Sequence, residues 1–277
     1  MLPARSPGPA GVWFSEAVVA GGKVLFALAG EGPPLILLHG WTLDHRMWQP
    51  QVAALAKDFL LVMPDRRGCG GSTAPPDLGQ EAADVITIAD FLGFDRFGLL
   101  GLSQGAVVAL DVARKFSSRL AGLVVSGAPL PCLVTRDETI DLDRYRAMAA
   151  AGDMASMRAE WARHQLMRTH TPEARALAMA ILEDYHGRDL QFASEPPGLP
   201  REVLEHLPVP VLALAGEHDT PWRRECAAAL ADCAPRGRHN LIARAGHLAN
   251  CDNPKDFNTL AGSFLQTCAD PSKRPSR

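Results

Sequence analysis

The chain has 277 residues, 47% of them apolar and 21% charged, with a net charge of −3. That length buries a large core, as one α/β domain or as a domain carrying an insertion. The charge leaves no footprint for nucleic acid or anionic membranes, and no apolar run approaches the roughly 18 residues of a membrane span.

The first ten residues contain no hydrophobic stretch of the secretory kind, so a cytoplasmic location is expected. Residues 13–19 and 23–28 read as two strands joined by Ala20-Gly21-Gly22, a hairpin. After the turn cluster Gly30-Glu31-Gly32-Pro33-Pro34 comes the wholly apolar run Leu35-Ile36-Leu37-Leu38, which ends at His39-Gly40-Trp41. Such a run predicts a strand covered on both faces of a parallel sheet. A helical stretch over 48–56 precedes a second buried strand, 59–63. That strand leads into Asp65-Arg66-Arg67-Gly68-Cys69-Gly70-Gly71-Ser72. A helix over about 81–92 follows, then the strand Phe97-Gly98-Leu99-Leu100.

Directly after it stands Gly101-Leu102-Ser103-Gln104-Gly105, and then a helical run from Val107 to Ala113. A strand, a one-residue corner and a helix force the corner residue into a strained backbone, with small flanking glycines making room. A serine there projects its hydroxyl at the sheet's carboxyl edge, toward the amides that open the helix. This is the G-x-S-x-G elbow.

Residues 120–126 are the next strand. From about 128 to 207 the alternation of strand and helix stops. That stretch holds helical segments over 142–150, 154–167 and 172–185 and no buried strand. Residues 128–206 are therefore expected to be a helical insertion, with Trp161, His164, Met167, Tyr185 and His186 available to face a substrate. Strands over 209–215 and 240–243, separated by a helix around 223–231, complete the set. The expected organisation is a core formed by 1–127 and 207–268, the insertion 128–206, and a polar tail 269–277. Strands alternating with helices imply a mostly parallel sheet with helices on both faces. The six cysteines form no C-x-x-C pair and have no zinc-like spacing with histidine, so free thiols are expected.

A serine hydroxyl is a poor nucleophile at neutral pH and needs a base, which in turn needs an orienting acid. In this architecture such groups sit just past strand carboxyl ends. Gly216-Glu217-His218-Asp219 follows one late strand and Arg244-Ala245-Gly246-His247 the other. The order Ser103, Asp219, His247 matches the order of nucleophile, acid and base on this scaffold. His218 lies inside the acid's own turn, too close to it to reach Ser103. His39 lies near the site at a strand end, where a His-Gly pair more often positions a loop than acts as a base. Glu217 competes for the acid's role, but Asp219 is shorter and further past the strand. For the oxyanion, the expected donors are the backbone amides of Gln104, next after the nucleophile, and Trp41. His39, Trp161 and Tyr185 are candidate pocket residues.

Taken together, Gly32-Pro33-Pro34, His39-Gly40-Trp41, the Asp65–Ser72 loop, the elbow, Gly216-Glu217-His218-Asp219, Ala245-Gly246-His247, Asn253-Pro254 and Phe257-Asn258 resemble the α/β-hydrolase superfamily. Within it, the style is that of small capped carboxylesterases and 3-oxoadipate enol-lactonase-like enzymes. The resemblance implies a mostly parallel, eight-stranded sheet with a helical cap inserted after the sixth strand. It implies a serine hydrolase of small carboxylic esters or lactones that needs neither a metal nor an organic cofactor. A serine at the elbow sets the chain apart from epoxide hydrolases and haloalkane dehalogenases, which carry a carboxylate there. Hydrolysis of a diketone carbon–carbon bond, cofactor-free oxygenase or lyase chemistry, and a weakly hydrolytic ligand receptor all use the same scaffold and remain alternatives.

Overall fold

The computed structural model describes residues 6–7, 11–192 and 196–269. In chain order its strands are β1 (Ser6–Pro7), β2 (Val12–Val19), β3 (Gly22–Ala29), β4 (Pro34–Leu38), β5 (Leu60–Pro64), β6 (Phe97–Leu102), β7 (Leu120–Ser126), β8 (Val211–Gly216) and β9 (Gly237–Ile242). They lie side by side in the order β1-β2-β3-β5-β4-β6-β7-β8-β9. The pairs β1–β2, β2–β3 and β3–β5 are antiparallel. The remaining pairs, from β5 across to β9, are parallel. Apart from the two-residue β1, this is the expected mostly parallel sheet of eight strands.

Burial follows from strand position. Every residue of β5, β6 and β8 is buried, as a central parallel sheet requires. Successive side chains go to opposite faces. Ile36, Leu38 and Leu99 join one core cluster, while Leu35, Leu37 and Leu100 join the other. β9, at the edge, keeps only Ile242 buried.

The helices are α1 (Gln49–Leu55), α2 (Glu81–Phe91), α3 (Gln104–Lys115), α4 (Leu142–Ala150), α5 (Met154–Trp161), α6 (Pro172–Glu183), α7 (Arg201–Glu205), α8 (Pro221–Cys233), α9 (Ala249–Asp252) and α10 (Pro254–Ala269). Helices α4 to α7 all fall between β7 and β8. Several starts are written in the sequence. Thr171 and Thr220 cap α6 and α8 with their side chains, each followed by a proline in the first turn.

The short elements β1, α7 and α9 are absent from the sequence reading, and two longer ones depart from it with a physical reason. The helix expected over 154–167 ends at Trp161, and only Gln165–Met167 resumes as a 3₁₀ turn. The break is His164, which is extended and whose ring accepts from the Leu166 amide at 3.2 Å, a local bond that competes with the helix. At the other end, α10 forms over a stretch to which the sequence reading assigns no element. Its buried Phe257, Ala261, Phe264 and Leu265 nevertheless recur at helical spacing. The expected polar tail lies outside the described residues except for Ala269, the last residue of α10. None of the six cysteines is in a disulfide.

Candidate active site

The parallel strands present their carboxyl ends along one edge of the sheet, and the candidate residues gather there. β6 ends at Leu102 and α3 begins at Gln104, leaving Ser103 as the corner, with φ 54° and ψ −117°. A non-glycine residue in that region is strained and is held by its surroundings. The glycines are steric necessities. A methyl group on Gly101 would strike the backbone of Gly105, and one on Gly105 would strike the carbonyls of Leu38 and His39. The Ser103 amide donates to the Ser126 carbonyl at 2.8 Å, which ties the corner to the end of β7. Gln104, as the first residue of α3, has an amide with no intrahelical acceptor.

His247 and Asp219 meet beyond β8 and β9. The imidazole Nδ1 lies 2.9 Å from Asp219 Oδ2, and both side chains are buried. The other Asp219 oxygen accepts from the Thr220 amide at 2.8 Å. Glu217 turns away. It is exposed, and its carboxylate accepts from the Arg244 amide at 2.8 Å. His218 is also exposed, with its ring centroid 4.8 Å from that of His170. Gly127, at φ 57°, leaves space for the pair: a methyl group there would lie 2.7 Å from His247 Cε1 and 3.2 Å from Asp219 Oδ2.

Ser103, His247, Trp41, Gln104 and Trp161 all line one cavity of about 760 Å³. Asp219 stands behind His247. Two of the expected pocket residues need correction, since neither His39 nor Tyr185 lines the cavity. Tyr185 is buried, and its hydroxyl donates to Asp189 Oδ1 at 2.7 Å. His39 is fully buried. Its Nε2 accepts from the Arg66 amide at 2.9 Å, and its Nδ1 lies 2.8 Å from the Gly40 carbonyl. The Arg66 guanidinium bonds the His39 carbonyl at 3.1 Å and the Gln104 side chain at 3.0 Å, while pairing with Glu81 at 2.6 Å. His39 and Arg66 thus brace the two loops that bear the Trp41 and Gln104 amides.

Burial, aided by the nearby Arg66 charge, lowers the His39 pKa from 6.5 to about 4. A depressed folded-state value means that its contribution is full above pH 6.5. Stability is then lost as the pH falls toward 4, where the unfolded chain takes up a proton that the folded one refuses. The loss is about 3 kcal/mol at pH 4, from roughly 1.4 kcal/mol per unit. His45 works in the opposite sense: burial is the largest single influence and lowers its pKa, but the hydrogen bond and charge of Asp65, together with the charge of Asp44, raise it overall. The prediction is therefore a difference: denaturant unfolding of a His39→Gln variant should lose less stability between pH 7 and 4.5 than the parent does. Parallel pH curves would contradict it.

One buried group had no sequence signal. Glu138 lies between β7 and α4, in no motif, yet its side chain is wholly buried against Arg223, at 2.6 Å. It also accepts from the Thr220 hydroxyl at 3.2 Å, and Arg223 donates to the Gly127 carbonyl at 2.7 Å. Burial pushes the Glu138 carboxyl up, but Arg223, with His247 and the Thr220 hydroxyl, together hold it below the ordinary value. This ion pair therefore backs both Thr220 and Gly127, the residues that hold Asp219 and pack on His247. Among the described residues, Asp44, His45 and Asp65 have metal-like spacing. Their atoms are engaged by Arg46, by Gly71 and by one another, and none lines the cavity.

The sequence is 28% identical over 253 residues to a pimeloyl-[acyl-carrier protein] methyl ester esterase of Nitrosomonas europaea, covering 82% of this chain and 94% of that protein. A soluble epoxide hydrolase of Corynebacterium sp. is 34% identical over 128 residues, 42% of this chain and 45% of that one. In fold, the enol-lactonase from Burkholderia xenovorans LB400 superposes with a TM-score of 0.77 at 23% identity, over 91% of this chain and 100% of that one. A family model matches residues 35–260, a span that takes in the Ser103 elbow, Asp219 and His247, and the chain therefore belongs to the alpha/beta hydrolase family.

Proposed function

We propose that this protein is a serine hydrolase of small carboxylic esters or lactones, acting through Ser103, His247 and Asp219. The observation that carries the reading is the strained Ser103 corner opening onto the cavity lined by His247, whose far nitrogen is bonded to Asp219. In this reading Ser103 Oγ attacks the substrate carbonyl while His247 Nε2 takes its proton. Asp219 holds the proton on Nδ1 and stabilises the imidazolium. The amides of Gln104 and Trp41 receive the developing oxyanion. His247 then protonates the leaving alcohol, and water repeats the sequence on the acyl-enzyme. The similarity to an esterase that acts on a methyl ester supports ester chemistry. A hydroxyl at the elbow, in place of a carboxylate, weighs against the chemistry named for the epoxide hydrolase relative.

Residues 128–206 act as the cap in this reading. Leu166, Met167 and Trp161 line the cavity from that segment and give it an apolar wall suited to a small acyl or alkyl group. No helix among the described residues is long and apolar enough to cross a membrane. A panel of short p-nitrophenyl esters, lactones and diketones tests the proposal. The expected result is ester or lactone turnover in the parent enzyme. Turnover of diketones alone would replace the reading with carbon–carbon hydrolysis. Slow release of a single bound product would replace it with ligand reception.

A further inference from the structure

Two indole hydrogen bonds join the loop after β4 to the segment between β7 and β8, and they run in opposite directions. Trp41 Nε1 donates to Asp189 Oδ2 at 2.6 Å across 148 positions of sequence. Trp161 Nε1, at the end of α5, donates to Thr42 Oγ1 at 2.8 Å across 119 positions. The remaining Asp189 oxygen is taken by the Tyr185 hydroxyl. The rings interlock as well. The Trp41 centroid lies 4.7 Å from that of Trp161, edge to face, and 6.2 Å from that of Tyr185.

Thr42 stands at φ 62°, a conformation that a β-branched residue rarely adopts and that its surroundings must impose. Its side chain is buried, and so is its Trp161 partner. The two adjacent residues held this way include Trp41, whose backbone amide is the proposed second oxyanion donor. Such a donor assists only when it is fixed where charge will develop.

We infer that Asp189 and Trp161 are positioning residues for the Trp41 amide, so that the cap assembles the oxyanion site as well as walling the pocket. The inference rests on the ester-hydrolase reading above. It differs from a purely structural role, which would change the fraction of folded protein but not kcat per folded molecule. It also differs from a wall role, which would change KM for bulky esters.

The test uses p-nitrophenyl acetate, whose acyl group is too short to report the cap wall, with the full-length parent and the variants Trp161→Phe, Asp189→Ala and Asp189→Asn. Trp161→Phe keeps an aromatic ring at the position, smaller than the indole, and removes the donor. Asp189→Ala removes the acceptor, and Asp189→Asn restores a neutral one. The expected result is a fall in kcat on the order of tenfold for Trp161→Phe and for Asp189→Ala, within the hundredfold that a 1 Å misplacement can cost. KM for this short ester should change less than kcat, staying within about twofold for the Asp189 variants, because a misplaced oxyanion donor costs the transition state and not ground-state binding. Asp189→Asn should regain most of the loss. If Trp161→Phe does not fold, the two Asp189 variants decide. Folded variants with kcat equal to the parent's, or with the loss confined to KM, overturn the inference and leave the reading intact. A parent whose turnover does not depend on Ser103 overturns both.

Discussion

Ser103→Ala is expected to fold like the parent and to lose ester turnover by on the order of 10⁴-fold or more, the scale on which a removed nucleophile acts. The fold should survive because the strain at position 103 comes from a Cβ at φ 54°, and alanine carries the same Cβ. The bond from the Ser103 amide to the Ser126 carbonyl is made by backbone and persists. The neighbouring amides of Gln104 and Trp41 also persist, so substrate affinity should change little. The measurement is kcat/KM for a short p-nitrophenyl ester alongside circular dichroism. A folded variant within about tenfold of the parent would remove Ser103 from the nucleophile's role.

Asp219→Asn should cost on the order of 10³ to 10⁴-fold, and the geometry gives the reason. The Thr220 amide donates to one Asp219 oxygen, and His247 Nδ1 meets the other. An asparagine would keep its carbonyl oxygen on the Thr220 amide and turn its NH₂ group toward His247. The imidazole would then accept at Nδ1 and carry its proton on Nε2, the wrong tautomer for a base facing Ser103. Glu217→Gln is the control. Glu217 is exposed and accepts only from the Arg244 amide, which a glutamine also satisfies, so turnover should stay within about threefold, the range of a surface change. Equal losses from the two substitutions would mean that the acid has been misassigned.

What was legible in the sequence is what local physics dictates. The elbow could be read because a strained corner needs small neighbours, and Gly101 and Gly105 fall where any side chain would strike backbone. The β6, β7 and β8 strands could be read because a strand buried on both faces is apolar without interruption. Sequence left Asp219 and Glu217 as competitors. They are separated by tertiary contacts, one with His247 and one with Arg244.

His39 reads as a pocket residue from sequence because chain position brings it to the right sheet edge. Only the packing shows that its ring faces the Arg66 amide and not the cavity. Glu138 carried no signal, since its role depends on Arg223, 85 positions away. Asp189 likewise acquires meaning only when the segment between β7 and β8 meets Trp41, 148 positions upstream. The early end of α5 reflects a side-chain bond at His164 that helix periodicity does not encode. The periodicity of α10, by contrast, was present in Phe257, Ala261, Phe264 and Leu265 and only needed to be followed.

The proposed chemistry requires Ser103 to be an activated nucleophile. Covalent capture tests it most directly: the protein is incubated with a fluorophosphonate, its intact mass is recorded, and the labelled peptide is sequenced. The expected result is one adduct per chain, located on Ser103, blocked by competing ester and absent from Ser103→Ala. An adduct on another residue, or continued ester turnover by protein fully labelled at Ser103, would contradict it.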